Sequence, residues 1–100
     1  MWLVEVSLEH NSIEDNGAQS LGVALGRGRI TKLSLKGNVI CDEGAAMLLH
    51  SVEAHNNLVK LDLSGNMLSS KLMSRIQDAV LHNIKFGDDA LITLQQANSL

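Results

Sequence analysis

Three segments of the sequence share one pattern of aliphatic residues and carry an asparagine at the same place. They are LVEVSLEHNSI at residues 3–13, ITKLSLKGNVI at 30–40 and LVKLDLSGNML at 58–68. All three align without a gap to aliphatic-x-x-aliphatic-x-aliphatic-x-x-Asn-x-aliphatic, and the asparagines at 11, 38 and 66 are spaced by 27 and 28 residues. A fixed period of this length is typical of repeat proteins, in which similar units stack on one another.

The first half of each repeat predicts a strand and a turn. Two aliphatic residues lie two positions apart, so their side chains share one face of a strand; the pairs are Val6 and Leu8, Leu33 and Leu35, and Leu61 and Leu63. Parallel pairing of such strands needs a long crossover, usually a helix. Asn11, Asn38 and Asn66 then predict stacked turns whose unpaired backbone groups are bound by the asparagine side chains. Three surface asparagines in ordinary turns are the alternative.

The second half of each repeat predicts a helix. The residues four positions after each asparagine are typical helix N-caps, namely Asp15, Asp42 and Ser70. Apolar residues then recur every three to four positions, as on a helix face that packs against a core. Small residues at 17–18 and 44–45 predict a close approach of helix and strand layer, whereas repeat three has Leu72 and Met73 there.

These patterns predict a single domain, 1–100, that contains repeats at about 3–29, 30–57 and 58–83. The remaining segment, 84–100, fits the repeat poorly, because Asp89 falls where an aliphatic residue belongs. It predicts a C-terminal cap with a poor strand at 84–86 and a short helix that starts at Asp88 or Asp89. Terminal repeats are often atypical because they close a stack.

The combined pattern resembles the ribonuclease-inhibitor class of leucine-rich repeats, most completely from Ile30 to Val52. The resemblance implies an α/β solenoid with a parallel sheet on the concave side and helices on the convex side. Members of this class act mainly by binding other proteins, so it implies a protein-interaction module or scaffold that is not an enzyme. The alternatives are an enzyme regulator, such as a GTPase-activating or inhibitor surface, and a structural fragment of a longer cytoskeletal, flagellar or immune-receptor solenoid.

In this architecture the residues between the core leucines would form the concave face and are the candidate partner-binding residues. They are Glu5, Ser7, Glu9, Lys32, Ser34, Lys36, Lys60 and Asp62. Adjacent strands lie about 4.8 Å apart, so Glu5 is expected to meet Lys32, and Glu9 to meet Lys36. Lys32 and Lys60 would be like-charged neighbours that could receive an acidic group. A solvated face that only keeps the protein soluble is the alternative.

Trp2 precedes the first strand and suggests a second interface. An open strand edge with an apolar end invites pairing with another chain. Trp2 is therefore a candidate contact with a second copy or with another part of a longer protein. The alternative is that its ring folds back over the end of the core.

Charge and cysteine content narrow the other possibilities. The formal net charge is −3 with both signs scattered along the chain, so the sequence predicts neither nucleic acid nor an anionic membrane as partner. The single cysteine, Cys41, cannot form an internal disulfide, which favours a reducing compartment: cytoplasmic, with a nuclear or cytoskeletal location possible. No cofactor is expected, and the spacing of the four histidines predicts no metal site.

Overall fold

The computed structural model describes residues 4–27, 30–55 and 57–86, in which three strands alternate with three helices. The strands are β1 Val4–Ser7, β2 Ile30–Ser34 and β3 Lys60–Asp62. The helices are α1 Asp15–Leu25, α2 Asp42–Ala54 and α3 Ser70–Phe86. Trp2 and the helix predicted beyond residue 87 lie outside the described residues.

The strands form a parallel sheet in the order β1-β2-β3. Its register places Val6 beside Leu33, and Leu33 beside Leu61. The parallel stack predicted from the aliphatic spine is therefore confirmed. Each crossover contains one helix, and the helices pack in chain order, α1 against α2 and α2 against α3.

The hydrophobic core lies between the sheet and the helices, and the middle repeat is buried most completely. Leu35, Ile40, Ala45 and Leu48 have no exposed surface. Aliphatic side chains from the outer repeats pack around them. Each leucine buried in this way stabilises the fold by about 1.5–3 kcal/mol, so the shared spine is the main attraction between repeats.

The regular spacing of asparagines corresponds to a ladder of hydrogen bonds that reaches back from repeats two and three to the repeat before. The Asn38 amide oxygen accepts the backbone N–H groups of Asn11 and Ile13, both at 2.9 Å. Its Nδ2 donates to the carbonyls of Leu8 and Leu35. Asn66 repeats the arrangement by binding the N–H of Ile40 and the carbonyls of Leu35 and Leu63.

A second ladder, which the sequence did not predict, reaches forward from the starts of α1 and α2. Asp15 Oδ1 accepts the N–H of Cys41 at 2.7 Å, and Asp42 Oδ1 accepts the N–H of Ser69 at 2.6 Å. The expectation that both aspartates are N-caps was wrong, because they are the first helical residues and the cap positions are Glu14 and Cys41.

The start of α3 is capped one residue earlier than expected. Ser69, rather than Ser70, presents its hydroxyl to the N–H of Leu72. A serine oxygen in this position satisfies one of the N–H groups that the first turn of a helix leaves without an intrahelical partner.

Helix α3 also corrects the prediction for the start of the C-terminal cap, 84–100. Residues 84–86 are helical and not a strand, since α3 continues to Phe86. The reason lies partly in Asn83, a buried residue whose Nδ2 donates to the carbonyls of Val52 and Leu58. These two bonds tie the last turns of α3 to α2 and to the loop between α2 and β3.

Glycine at 44 permits the close approach of α1 and α2, and this leads to a testable prediction. A Cβ at Gly44 would lie 2.5 Å from Asp15 Oδ1 and 2.8 Å from its Cα. Because the backbone cannot yield cheaply, Gly44→Leu is expected to lower the free energy of unfolding by about 2 kcal/mol in urea denaturation.

Gly17→Leu is the matched control, because Gly17 holds the same repeat position. Among the described residues a Cβ there meets only the side chain of Ile13 within 4 Å, which can rotate. The helix-propensity gain is the same in both variants. Equal effects of the two substitutions would contradict the close-approach argument.

Candidate interaction surface

The residues predicted to share one sheet face do so. Glu5, Lys32 and Lys60 are Cα partners across the three strands, and Ser7, Ser34 and Asp62 form the next row. The backbone bonds His10 N–H to Lys36 carbonyl and Gly37 N–H to Ser64 carbonyl extend this register into the turns. We call the eight predicted residues the polar strand face: Glu5, Ser7, Glu9, Lys32, Ser34, Lys36, Lys60 and Asp62.

Strand alternation explains why these side chains face solvent. Successive strand residues point to opposite faces of a sheet. In β1, Glu5 and Ser7 are exposed whereas Val4 and Val6 are half-buried, and in β2 Leu33 is buried between the half-buried Lys32 and Ser34. A shallow groove runs across all three strands between these side chains.

The hydrogen bonding of Glu9 differs from expectation. Its carboxylate accepts the Ser34 hydroxyl at 2.8 Å, so Glu9 binds Ser34 rather than Lys36. Glu5 and Lys32 lie beside each other as expected, but within the described part of the chain no ion pair of 4.0 Å or less joins them. Among the described residues, the acidic side chains of repeat one therefore leave the ammonium groups of Lys32 and Lys36 without a close carboxylate.

Asp62 lies in the row next to Lys32 and Lys60, but its carboxylate is bound by Ser64. Asp62 Oδ1 accepts both the hydroxyl of Ser64 at 2.6 Å and its N–H at 3.0 Å. These two bonds lower the pKa of Asp62; burial opposes them, and Lys36 and Lys60 add weaker lowering contributions. The carboxylate is therefore engaged by the turn that follows β3.

The turns beside the polar strand face use a backbone conformation that the sequence pattern did not reveal. His10, Gly37 and Gly65 occupy the same repeat position with φ values of 57°, 73° and 72°. Glycine adopts this left-handed region freely, and histidine does so more readily than most residues. The His10 imidazole lies directly over Gly37, where a Cβ would otherwise stand.

Other features to consider among the described residues are a metal site, a reactive thiol and a membrane-spanning helix. No group of three or more His, Cys, Asp or Glu side chains there could hold a metal ion. Cys41 is a half-exposed free thiol at the start of α2. None of the helices described is both long and apolar enough to cross a membrane.

Comparison with known families agrees with this geometry. A family model described as Leucine Rich repeat matches residues 1–22 and 30–49, and one described as Leucine Rich Repeat matches 57–79. The matches cover the strand and much of the helix of each of the three repeats. The chain is a leucine-rich repeat protein. Domains of this family generally mediate protein–protein interactions and are typically binding modules without enzymatic activity. A search among curated proteins gave no match.

Some residues of this leucine-rich repeat protein were missed by sequence reasoning. Thr31 is buried in β2 and donates its hydroxyl to the Val4 carbonyl. Val39 and Met67, which follow the ladder asparagines, are 41% and 66% exposed. Val39 and Met67 each directly follow an asparagine of the repeat pattern, and this shared position could have predicted that both are exposed.

Proposed function

We propose that this protein is an interaction module of the ribonuclease-inhibitor class and that its polar strand face binds an acidic segment of another protein. Lys32 and Lys60 would receive the acidic group. The Gly-Ala pairs near the helix starts of repeats one and two support this class. The single cysteine supports a cytoplasmic location.

One observation carries the proposal. Lys32 and Lys60 are direct Cα partners on neighbouring strands, and the nearest acid on their own row, Glu5, forms no close ion pair with either among the described residues. Like charges directly opposite each other on a sheet destabilise it. A partner carboxylate placed between the two ammonium groups would relieve that repulsion and gain two charge-assisted hydrogen bonds.

The face also has the composition of a surface that directs association. Electrostatic complementarity between interacting surfaces raises association rates and excludes partners of the wrong charge. Here β1 and the turn after it contribute Glu5 and Glu9, while β2 and the turn after it contribute Lys32 and Lys36. A partner segment that crosses the strands would therefore bind best with acidic groups above β2 and β3. Acidic groups above β1 would weaken its binding.

The test is the combined reversal Lys32→Glu and Lys60→Glu. Partners captured from the source cell by the unmodified chain are identified, and the affinity of each is then measured for the variants. We expect the reversal to weaken binding roughly a hundredfold at low salt, because placing like charges together costs several kcal/mol and each ~1.4 kcal/mol is tenfold. The difference should shrink as salt is added.

The matched control is Lys71→Glu with Arg75→Glu. Both residues are exposed on α3, in the helix layer, and the pair changes the net charge by the same amount. Urea denaturation confirms that both double variants fold. If the α3 reversal weakens binding as much as the strand-face reversal, or if neither does, the polar strand face is not the binding surface.

A further inference from the structure

The two ends of the repeat stack are not equivalent. In repeat two, Leu33, Leu35, Ile40 and Leu48 are at most 2% exposed. Their counterparts in repeat one are all only half-buried: Val6, Leu8, Ile13 and Leu21. In repeat three, Leu63 and Ile76 are buried, whereas Leu61 and Leu68 are half-buried. The apolar spine is therefore more open at its N-terminal end.

Repeat one also carries the groups that bind a preceding repeat. Asn11 matches Asn38 and Asn66, whose side chains reach back to the turn before them. In the described part of the chain, however, Asn11 is exposed and its side chain only donates to the Glu9 carbonyl of its own turn. Its amide oxygen accepts no hydrogen bond there, although the oxygen of Asn38 accepts two.

Two further positions of repeat one also match positions that bind a preceding repeat elsewhere in the stack. The backbone N–H of Glu14 is equivalent to those of Cys41 and Ser69, which donate to an aspartate of the preceding repeat. Within the described residues Glu14 N–H has no such acceptor. Gly17 matches Gly44, which makes room for that aspartate, yet no preceding aspartate lies beside Gly17 in the described structure.

The edge of β1 offers matching backbone groups. Alternate residues of a parallel strand bond to opposite neighbours. In β1 the N–H of Leu8 points to β2 by donating to the Ser34 carbonyl. Ser7, the β1 counterpart of Ser34, therefore turns its N–H and carbonyl to the free edge, and so does Glu5.

We infer that the N-terminal end of repeat one is an interaction surface for one further leucine-rich repeat that this sequence does not supply. The occupant would pair a strand with β1, place two turn N–H groups on Asn11 Oδ1, and present a helix-starting aspartate to Glu14 N–H beside Gly17. Its surface would thus continue the interface already formed between repeats one and two. This inference is independent of the polar strand face.

A second copy of this chain does not fit the same surface. A copy stacked head to tail would present repeat three, in which Ser70 stands where repeats one and two have the forward-reaching aspartate. Serine is too short to bridge to the next turn as Asp15 and Asp42 do. The occupant is therefore a repeat that carries aspartate at this position.

A copy of repeat two provides the probe. Residues 30–57 are inserted between Trp2 and Leu3 of the full chain, which keeps the register because Leu3 then follows Asn57 as Leu58 does. We expect the urea midpoint to rise and the Ser7 amide to become protected from hydrogen exchange. An unchanged midpoint together with an unprotected Ser7 amide would overturn the inference.

Two substitutions make the test specific. Asn11→Ala should leave the midpoint of the native chain nearly unchanged but lower that of the inserted chain as far as Asn38→Ala lowers the native one. Asp42→Ala in the inserted copy alone should remove part of the gain. Equal effects of Asn11→Ala in both chains would contradict the inference, as would Asn11-dependent self-association of the native chain in sedimentation.

Discussion

Replacing Asn38 with alanine is expected to lower the free energy of unfolding by about 3 kcal/mol. The side chain is 2% exposed and makes four hydrogen bonds to backbone groups. Alanine removes all four and leaves two N–H groups and two carbonyls of the turns without their partner. Each such group costs about 1–3 kcal/mol when buried, and less where water reaches it. Urea denaturation followed by circular dichroism measures the change.

Asn11→Ala is the matched control, since it makes the same chemical change at the same repeat position. The Asn11 side chain is exposed and forms one local bond to Glu9, so we expect a change within about 0.5 kcal/mol. Asn66→Ala should fall between the two, because Asn66 is half-buried. If Asn11→Ala proved as costly as Asn38→Ala, the asparagines would act within their own turns and not between repeats.

Sequence reasoning predicted the repeating parts of this fold because each repeat reports on the same physical environment. The spacing of Leu33 and Leu35 is found three times, and a stack of parallel strands places all three pairs on the same side of one sheet. The asparagine ladder could be predicted for a similar reason, because a buried turn needs a short side chain that both donates and accepts.

The sequence-based predictions were wrong or incomplete where a side chain binds the backbone of a neighbouring repeat. Asp15 and Asp42 have the residue type and position of N-caps, but their carboxylates bind the N–H groups of the following turn. A single repeat cannot reveal this role, because the partner is some 26 residues away. Asn83 is a further case, since its carbonyl partners at Val52 and Leu58 belong to the repeat before and to the loop.

For the polar strand face, the sequence predicted which residues lie together, but it did not predict their hydrogen bonds. Strand alternation fixes which residues share the face, and the one-per-repeat register fixes the rows. The preference of Glu9 for Ser34 over Lys36 depends on side-chain conformations that spacing does not specify. Exposed ion pairs are worth only about 0–1 kcal/mol, so a hydroxyl one row away competes successfully.

Replacing Leu48 with alanine is the second change with a large expected effect. Leu48 lies in α2 with no exposed surface, and it belongs to the repeat that contacts both others. A buried leucine replaced by alanine typically costs 2–5 kcal/mol, since packing is lost and a cavity is left. We expect about 3 kcal/mol by urea denaturation, a large share of the stability of a domain of this size. Leu48→Met, which nearly conserves volume, should cost less than about 1.5 kcal/mol and remain folded.

Leu21→Ala separates burial from helix propensity. Leu21 occupies the same repeat position in α1 and gains the same propensity on substitution by alanine, but it is only half-buried. We therefore expect a loss clearly smaller than that of Leu48→Ala. Because stability in a repeat stack is a sum of unit and interface contributions, the difference between the two variants measures what a second neighbour adds to a repeat. If both variants lost the same stability, the middle repeat would have no such advantage, and the open N-terminal end inferred above would have no energetic basis.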